Sequence, residues 1–95
     1  MIHVMATIVV KPEHAGAAKA LLVELAERSR AESGCLAYEL YQRPDAPHVF
    51  QTVEAWRAQG DADAHMKTAN VGAAIAAAGP MFAAPPAIVA YQKIG

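Results

Sequence analysis

A tryptophan and a histidine in one short stretch of the sequence could support proton chemistry beside an aromatic surface. The stretch VEAWRAQGDADAHMKT, residues 53–68, holds the only tryptophan, Trp56, nine residues before His65. Histidine titrates near pH 6.5 without help, so His65 is the natural candidate for a general base. A lone tryptophan is more often a core residue, although its ring could also stack on a flat ligand. A half-exposed helix histidine with no chemical role is the competing interpretation, and the spacing alone leaves both open.

A carboxylate precedes this tryptophan by two residues. Glu54 and Trp56 share one face of a strand, because side chains alternate along it. A carboxylate that faces a core needs a partner. We expect Glu54 to pair with a cation such as Arg57 or Lys67, and the alternative is that it belongs to a ligand-binding site.

Further candidates for a ligand-binding site flank these residues. Tyr38 and Tyr41 lie on opposite faces of one predicted strand, so only one of them can face a site, and alternation does not say which. Phe82 is expected to line a pocket or to pack in the core, and Met66 adjoins His65. Asn70 is a candidate ligand donor but is more typical of a helix cap.

Composition sets the class of protein. With 95 residues the chain is expected to form one domain, residues 1–95, and 55% of it is hydrophobic. Alanine accounts for 23 residues, so the core has little bulk and pairing with a second copy would stabilise it. The net charge of −1 gives no reason to expect nucleic acid or a membrane as partner. The N-terminal stretch is typical of a strand and not of a signal peptide, and we expect a cytoplasmic protein.

Metal binding is not predicted. The four histidines stand at positions 3, 14, 48 and 65, with no H-x-x-x-H pair on a helix. The single cysteine, Cys35, excludes an intrachain disulfide and is interpreted as a small hydrophobe.

The pattern of apolar residues predicts the order β-α-β-β-α-(α)-β. A buried strand over residues 2–10 leads to a helix that starts at Pro12 and stops at Ser33-Gly34. Residues 35–43 and 48–56 form a hairpin, with Phe50, Thr52, Glu54 and Trp56 on one face of its second strand. Two short helices follow, capped by Asp61 and by Asn70, and residues 87–94 form the last strand.

This order is typical of a ferredoxin-like α+β fold, in which split βαβ units give a four-stranded antiparallel sheet with helices on one side. The strands also carry apolar residues on their second face. Such a face is rarely left in water, so we expect a homodimer that pairs the two sheets. The alanine-rich third helix, VGAAIAAAG, predicts space above the sheet.

The strand G-C-L-x-Y-E-L-Y, the strand end E-x-W and the helical D-A-H together resemble the antibiotic biosynthesis monooxygenase domain family, from about Val4 to Ile94. This family of dimeric α+β barrels includes quinol monooxygenases and the isomerase that acts on phosphorylated autoinducer-2. The resemblance implies a cavity between helices and sheet, with His65 on the helix that lines it and Trp56 close by.

The resemblance also implies chemistry without metal or flavin. A phenol or quinol would lose a proton to His65, and its anion would reduce dioxygen directly. The haem-degrading branch is not indicated, because Met5, His65 and Ile75 stand where that branch has asparagine, tryptophan and histidine. The alternatives are an isomerase of the autoinducer-2 type, which would favour Lys67, Arg57 or Lys93 near the pocket, and a non-catalytic dimeric protein that binds a small ligand.

Overall fold

The fold is one four-stranded antiparallel sheet with three helices packed on one face. The computed structural model describes every residue from Met1 to Gly95. Its elements are β1 (Ile2–Val9), a 3-10 turn (Pro12–His14), α1 (Ala15–Arg30), β2 (Cys35–Gln42), β3 (Val49–Trp56), α2 (Gln59–Met66), α3 (Ala69–Ala78), a second 3-10 turn (Gly79–Met81) and β4 (Ala87–Tyr91). The strand order is β2-β3-β1-β4, and all three pairings are antiparallel. The predicted fold class and element order are confirmed.

The two central strands determine which side chains face the helices. β1 and β3 pair along their full length, so that Val4 lies opposite Glu54 and Ala6 opposite Thr52. These four side chains are buried beneath the helices, and the intervening residues point to the other face of the sheet. The first strand was predicted to be buried on both faces, but its burial alternates, because no second layer covers the outer face.

The core consists of two small clusters at opposite ends of this sheet face. Trp56 and Tyr38 dominate the first cluster, packed against Ala26 of α1. Phe50 and Leu22 dominate the second, and Val10 is completely buried there. Between the two clusters a space remains between the helices and the sheet, and Ala74 and Ala78 of α3 are among the small side chains that line it.

Helix ends differ from the sequence-based expectations. α1 ends at Arg30 and not at Ser33-Gly34, since residues 31–34 form a separate turn. Asp61 does not cap α2: it lies in the first turn, where its carboxylate accepts a bond from Arg57 at 3.1 Å. Asn70 does not cap α3, because the hydroxyl of Thr68 accepts the backbone N–H of Val71 at 3.2 Å instead.

The outer face of the sheet, on the side away from the helices, carries a short apolar row. Val53 of β3 lies opposite Met5 of β1, which in turn lies opposite Val89 of β4. Tyr41 and Tyr91 stand toward opposite corners of this face and are 57% and 47% exposed. These five residues define the outer face. None of the helices is both long enough and apolar enough to cross a bilayer.

The turn between α1 and β2 should tolerate no side chain at Gly34. A Cβ placed there would meet the Cβ and Cγ of Asp61, and the Cβ of Asp61 cannot swing away because it is next to the backbone of α2. We expect Gly34→Ala to lower the free energy of unfolding by about 1–3 kcal/mol through overpacking. The measurement is urea denaturation followed by circular dichroism.

Gly72→Ala is the matched control for this substitution. Gly72 lies inside α3, and an added Cβ there meets nothing within 4 Å. Because glycine is a poor helix residue, this variant should gain about 0.5–1 kcal/mol. Equal stability changes in the two variants would contradict the close approach of Gly34 to α2.

Candidate active site

A cavity of about 240 Å³ lies between the sheet and the three helices. Its lining comes from all four strands and all three helices, and 16 of its 22 residues are hydrophobic. Glu54, Asp63 and His65 are the only carboxylate and imidazole side chains in the lining, which contains no lysine or arginine. An apolar pocket with a few convergent polar groups is the usual form of a small-molecule site.

His65 is buried, with 4% of its surface exposed. Its ring lies against the indole of Trp56, with centroids 4.6 Å apart and planes inclined at 35°. The phenol ring of Tyr38 approaches from β2, with ring centroids 5.8 Å apart. The half-exposed alternative for His65 is therefore wrong, and His65 and Trp56 are in direct contact.

A carboxylate holds one nitrogen of this ring. Nδ1 of His65 lies 2.8 Å from Oε2 of Glu32, in the turn after α1. A carboxylate can only accept a hydrogen bond, so Nδ1 carries the proton. Nε2 has no protein partner, and no fully buried side-chain nitrogen or oxygen of the protein lacks one. Nε2 is therefore accessible, and in the neutral ring it is a free proton acceptor.

Glu54 is a second buried carboxylate, with 4% of its surface exposed. Its Oε1 accepts the indole N–H of Trp56 at 3.0 Å, and its Oε2 accepts the hydroxyl of Thr52 at 2.6 Å. The Thr52 oxygen accepts the backbone N–H of Ala6 at 3.0 Å, which fixes the hydroxyl as a donor. The predicted pair with Arg57 or Lys67 is wrong, since two neutral donors on its own strand satisfy Glu54.

These carboxylates disfavour other anions nearby. Burial first, and then the charge of Glu54, raises the pKa of the Tyr38 phenol far above its usual range. Burial, Glu32 and Glu54 together raise the pKa of the Cys35 thiol. The raised pKa disfavours the Cys35 thiolate, which is the nucleophilic form, and Tyr38 can act in the site only as a neutral phenol.

The cavity brings together most of the candidate residues. Phe82 lines it from the segment after α3, where its backbone forms an isolated β-bridge with Val10. Met66 lines it from the end of α2. Tyr38 is the strand tyrosine that faces it, while Tyr41 lies on the outer face. Asn70 lies outside, where its side-chain oxygen accepts a bond from Arg28 at 3.2 Å on the surface.

Glu32 could not be recognised in the sequence as a partner of His65. It precedes His65 by 33 residues and sits in a turn, so neither periodicity nor a local motif connects the two. The only feature of the sequence that pointed to Glu32 was the presence of an acidic residue in the turn before β2, the strand that carries Tyr38 into the cavity. No three histidine, cysteine, aspartate or glutamate side chains are grouped so that they could hold a metal ion.

Comparison with known proteins extends the fold assignment. A family model described as antibiotic biosynthesis monooxygenase matches residues 1–77. A solved structure under that family name from Nitrosomonas europaea is 26% identical, with TM-score 0.94 and 100% coverage of both chains. One from Deinococcus radiodurans is 29% identical, with TM-score 0.90 and coverage of 100% of this chain and 94% of that chain. One from Caulobacter crescentus is 29% identical, with TM-score 0.89 and coverage of 99% and 90%. No curated protein matches the chain at a significant level.

Tyr38 should remain a neutral phenol well into the alkaline range. The causes of its raised pKa, burial and the Glu54 charge, both oppose the phenolate. We expect phenolate absorbance titrations of the wild type and of Tyr38→Phe to superimpose up to about pH 11, one unit above the ordinary tyrosine value. An excess of phenolate in the wild type below that pH would contradict this placement of Tyr38.

Proposed function

The chain belongs to the antibiotic biosynthesis monooxygenase family, and we propose that it is a cofactor-independent monooxygenase of the quinol type, acting on a small phenolic or quinol compound with dioxygen. The observation that carries this proposal is the accessible Nε2 of His65, held in an apolar cavity beside the Trp56 indole. A base with a free lone pair, an aromatic wall and the exclusion of water are what deprotonation of a phenol requires.

The reaction begins with transfer of the phenolic proton to Nε2 of His65. The resulting imidazolium is the only positive charge that the cavity can supply, since its lining has no lysine or arginine. It therefore stabilises the aryl oxide that forms beside it. The electron-rich anion then transfers electrons to dioxygen, and a ring carbon forms a bond to one oxygen atom. The peroxide takes the proton back from His65, its O–O bond breaks, and the outer oxygen leaves as water with the ring hydrogen, so that one oxygen atom stays on the oxidised ring. The protein provides binding, proton transfer and exclusion of water.

The other cavity residues bind the ring and its second substituent. Trp56, Phe82 and Met66 provide apolar surface, and the Tyr38 phenol is available as a neutral donor. Each carboxylate oxygen of Glu54 accepts one protein hydrogen bond and keeps a further lone pair. Glu54 can thus accept a hydroxyl of the ligand, which favours compounds with two hydroxyl groups over those with one.

The charge of the cavity argues against the isomerase alternative. A phosphorylated ketone needs cations or clustered N–H donors, and Arg57, Lys67 and Lys93 are all absent from the lining. Glu54 and Asp63 would repel a phosphate. A cavity without titratable groups would favour a protein that only binds its ligand. This cavity instead contains the accessible imidazole of His65.

The proposal is tested by oxygen uptake with a panel of mono- and dihydroxy-aromatic compounds. Uptake should require the protein, should need no added metal or flavin, and should be faster for the dihydroxy compounds. His65→Ala should lower kcat/KM by about a hundredfold or more, which is the usual loss when a general base is removed.

His48→Ala is the matched control for His65→Ala. His48 lies just before β3 and does not line the cavity, so its removal should leave uptake unchanged. Uptake that survives His65→Ala would remove His65 as the base while keeping the activity. No uptake with any compound of the panel would overturn the monooxygenase proposal in favour of a binding protein.

We further propose that two copies pair through the outer face into a dimeric α+β barrel. The row of Val53, Met5 and Val89 is apolar, and the two tyrosines near opposite corners suit a twofold axis between identical surfaces. The chain buries only 19 of its 95 residues by itself. Covering this face would add the apolar burial that a core rich in alanine lacks.

Sedimentation equilibrium tests the dimer, with the monomer mass of 10.0 kDa as reference. Val53→Asp would bury one unpaired carboxylate from each copy in the interface, so the dissociation constant should rise by about a hundredfold. Val23→Asp is the control, because Val23 is exposed on α1 on the other side of the sheet. A wild type that sediments as a monomer at micromolar concentration would contradict the proposal.

A further inference from the structure

Glu32 contacts the site only through His65. It does not line the cavity, and its side chain is 21% exposed whereas that of His65 is 5% exposed. The structure gives its carboxylate one partner, the Nδ1 of His65, and no lysine or arginine lies within ion-pair distance. A surface carboxylate that turns inward to one buried imidazole has no evident role in holding the surface together.

The backbone around Glu32 fixes its position relative to His65. The N–H of Glu32 donates to the carbonyl of Ser29 at 3.1 Å, and its own carbonyl accepts from Cys35 at 3.0 Å. Gly34 follows, where its carbonyl accepts the N–H of Arg57 at 2.9 Å and its Cα packs against Asp61. The turn is thereby attached to α2, the helix that carries the imidazole.

No other group competes for the two ring nitrogens. Glu54 approaches from β3, but its oxygens bond to Trp56 and Thr52. Tyr38 approaches from β2 with its ring, the two ring centroids lie 5.8 Å apart with planes inclined at 59°, and no hydrogen bond joins the two side chains. Asp63 and Lys67 on either side of His65 form no hydrogen bond with its ring, and Asp63 accepts from Gln59 instead. Glu32 alone therefore decides which nitrogen holds the proton.

We infer that Glu32 is the positioning residue of the proposed base: it keeps the neutral His65 ring protonated on Nδ1, so that Nε2 faces the cavity as an acceptor, and it stabilises the imidazolium after proton transfer. The inference rests on the proposed function for the role of His65, but the protonation of the ring does not depend on it. In the transfer, the substrate O–H bond breaks, its electron pair stays on oxygen, and the proton bonds to Nε2. Glu32 remains ionised throughout, on the outer side of the ring.

The test is the tautomer of the free protein, read from the ¹⁵N chemical shifts of the His65 ring. Spectra are recorded over a pH series, and the tautomer is read on the alkaline plateau, where the ring shifts no longer change with pH and the imidazole is neutral. In the wild type the proton should be on Nδ1. In Glu32→Gln the amide can offer either its carbonyl or its NH2 to the ring, so the Nε2-protonated form should become populated. Glu27→Gln, on the exposed side of α1, is the control and should keep the wild-type tautomer.

Kinetics provide the second readout. Loss of the carboxylate should lower kcat for oxygen uptake by about ten- to a hundredfold in Glu32→Gln, as much as is lost when the carboxylate that orients a metal-bound histidine is removed. KM should change by less than about threefold, because Glu32 does not touch the ligand. A variant that was merely misfolded would lose kcat, ligand binding and its thermal midpoint together.

The outcomes separate this inference from the proposed function. A wild-type ring protonated on Nε2, or a tautomer that Glu32→Gln leaves unchanged, overturns the role of Glu32 whatever the activity. The expected tautomers together with no oxygen uptake support Glu32 as the positioning residue of His65 and overturn only the monooxygenase. The wild-type measurement needs no substituted protein, so it decides the question even if Glu32→Gln does not fold.

Discussion

The site depends on one electrostatic constraint: a largely apolar cavity contains carboxylates and no resident cation. Glu54 and Asp63 line it, Glu32 lies behind its histidine, and neither lysine nor arginine reaches it. Burial first, and then the charges of Glu54 and Glu32, raise the pKa of Tyr38 and of Cys35. The same burial and charges would oppose any ligand anion as well, unless a positive charge forms at the same moment. His65 is the one lining group that can provide that charge by taking up a proton, so anion formation and protonation of His65 must be coupled.

The architecture satisfies the polar groups of this cavity mainly with neutral donors. Alternation on β3 places Thr52, Glu54 and Trp56 in one row, and their side chains bond to one another in sequence. Trp56 has two roles at once: its N–H satisfies Glu54 and its ring supports the imidazole of His65. A core tryptophan and a site tryptophan are therefore one residue here, since the indole presents a polar edge and an apolar face.

The sequence predicted what depends on local periodicity. The face of β3 that carries Glu54 and Trp56, the order of elements and the fold class follow from alternation and helix signals. The partner of Glu54 was predicted wrongly, because nearby cations suggested an ion pair while the satisfying donors were neutral residues on its own strand. Asn70 was predicted to cap α3, whereas the cap is Thr68; both residue types cap well and only the backbone geometry distinguishes them. Glu32 could not be found, since its contact with His65 depends on how the turn after α1 packs against α2.

The cavity itself follows from the choice of alanine in α3. Ala74 and Ala78 face the sheet where leucine or phenylalanine would fill the space and add apolar burial. Leaving the space open costs stability, and a chain with so many alanines has little to spare. Within the fold, bulk is concentrated instead at the two ends, around Trp56 and Phe50, so that each end of β3 is packed into a cluster. Packing at both ends positions Glu54 and Trp56 relative to His65, so the same distribution of side chains that weakens the middle of the core supports the geometry of the site.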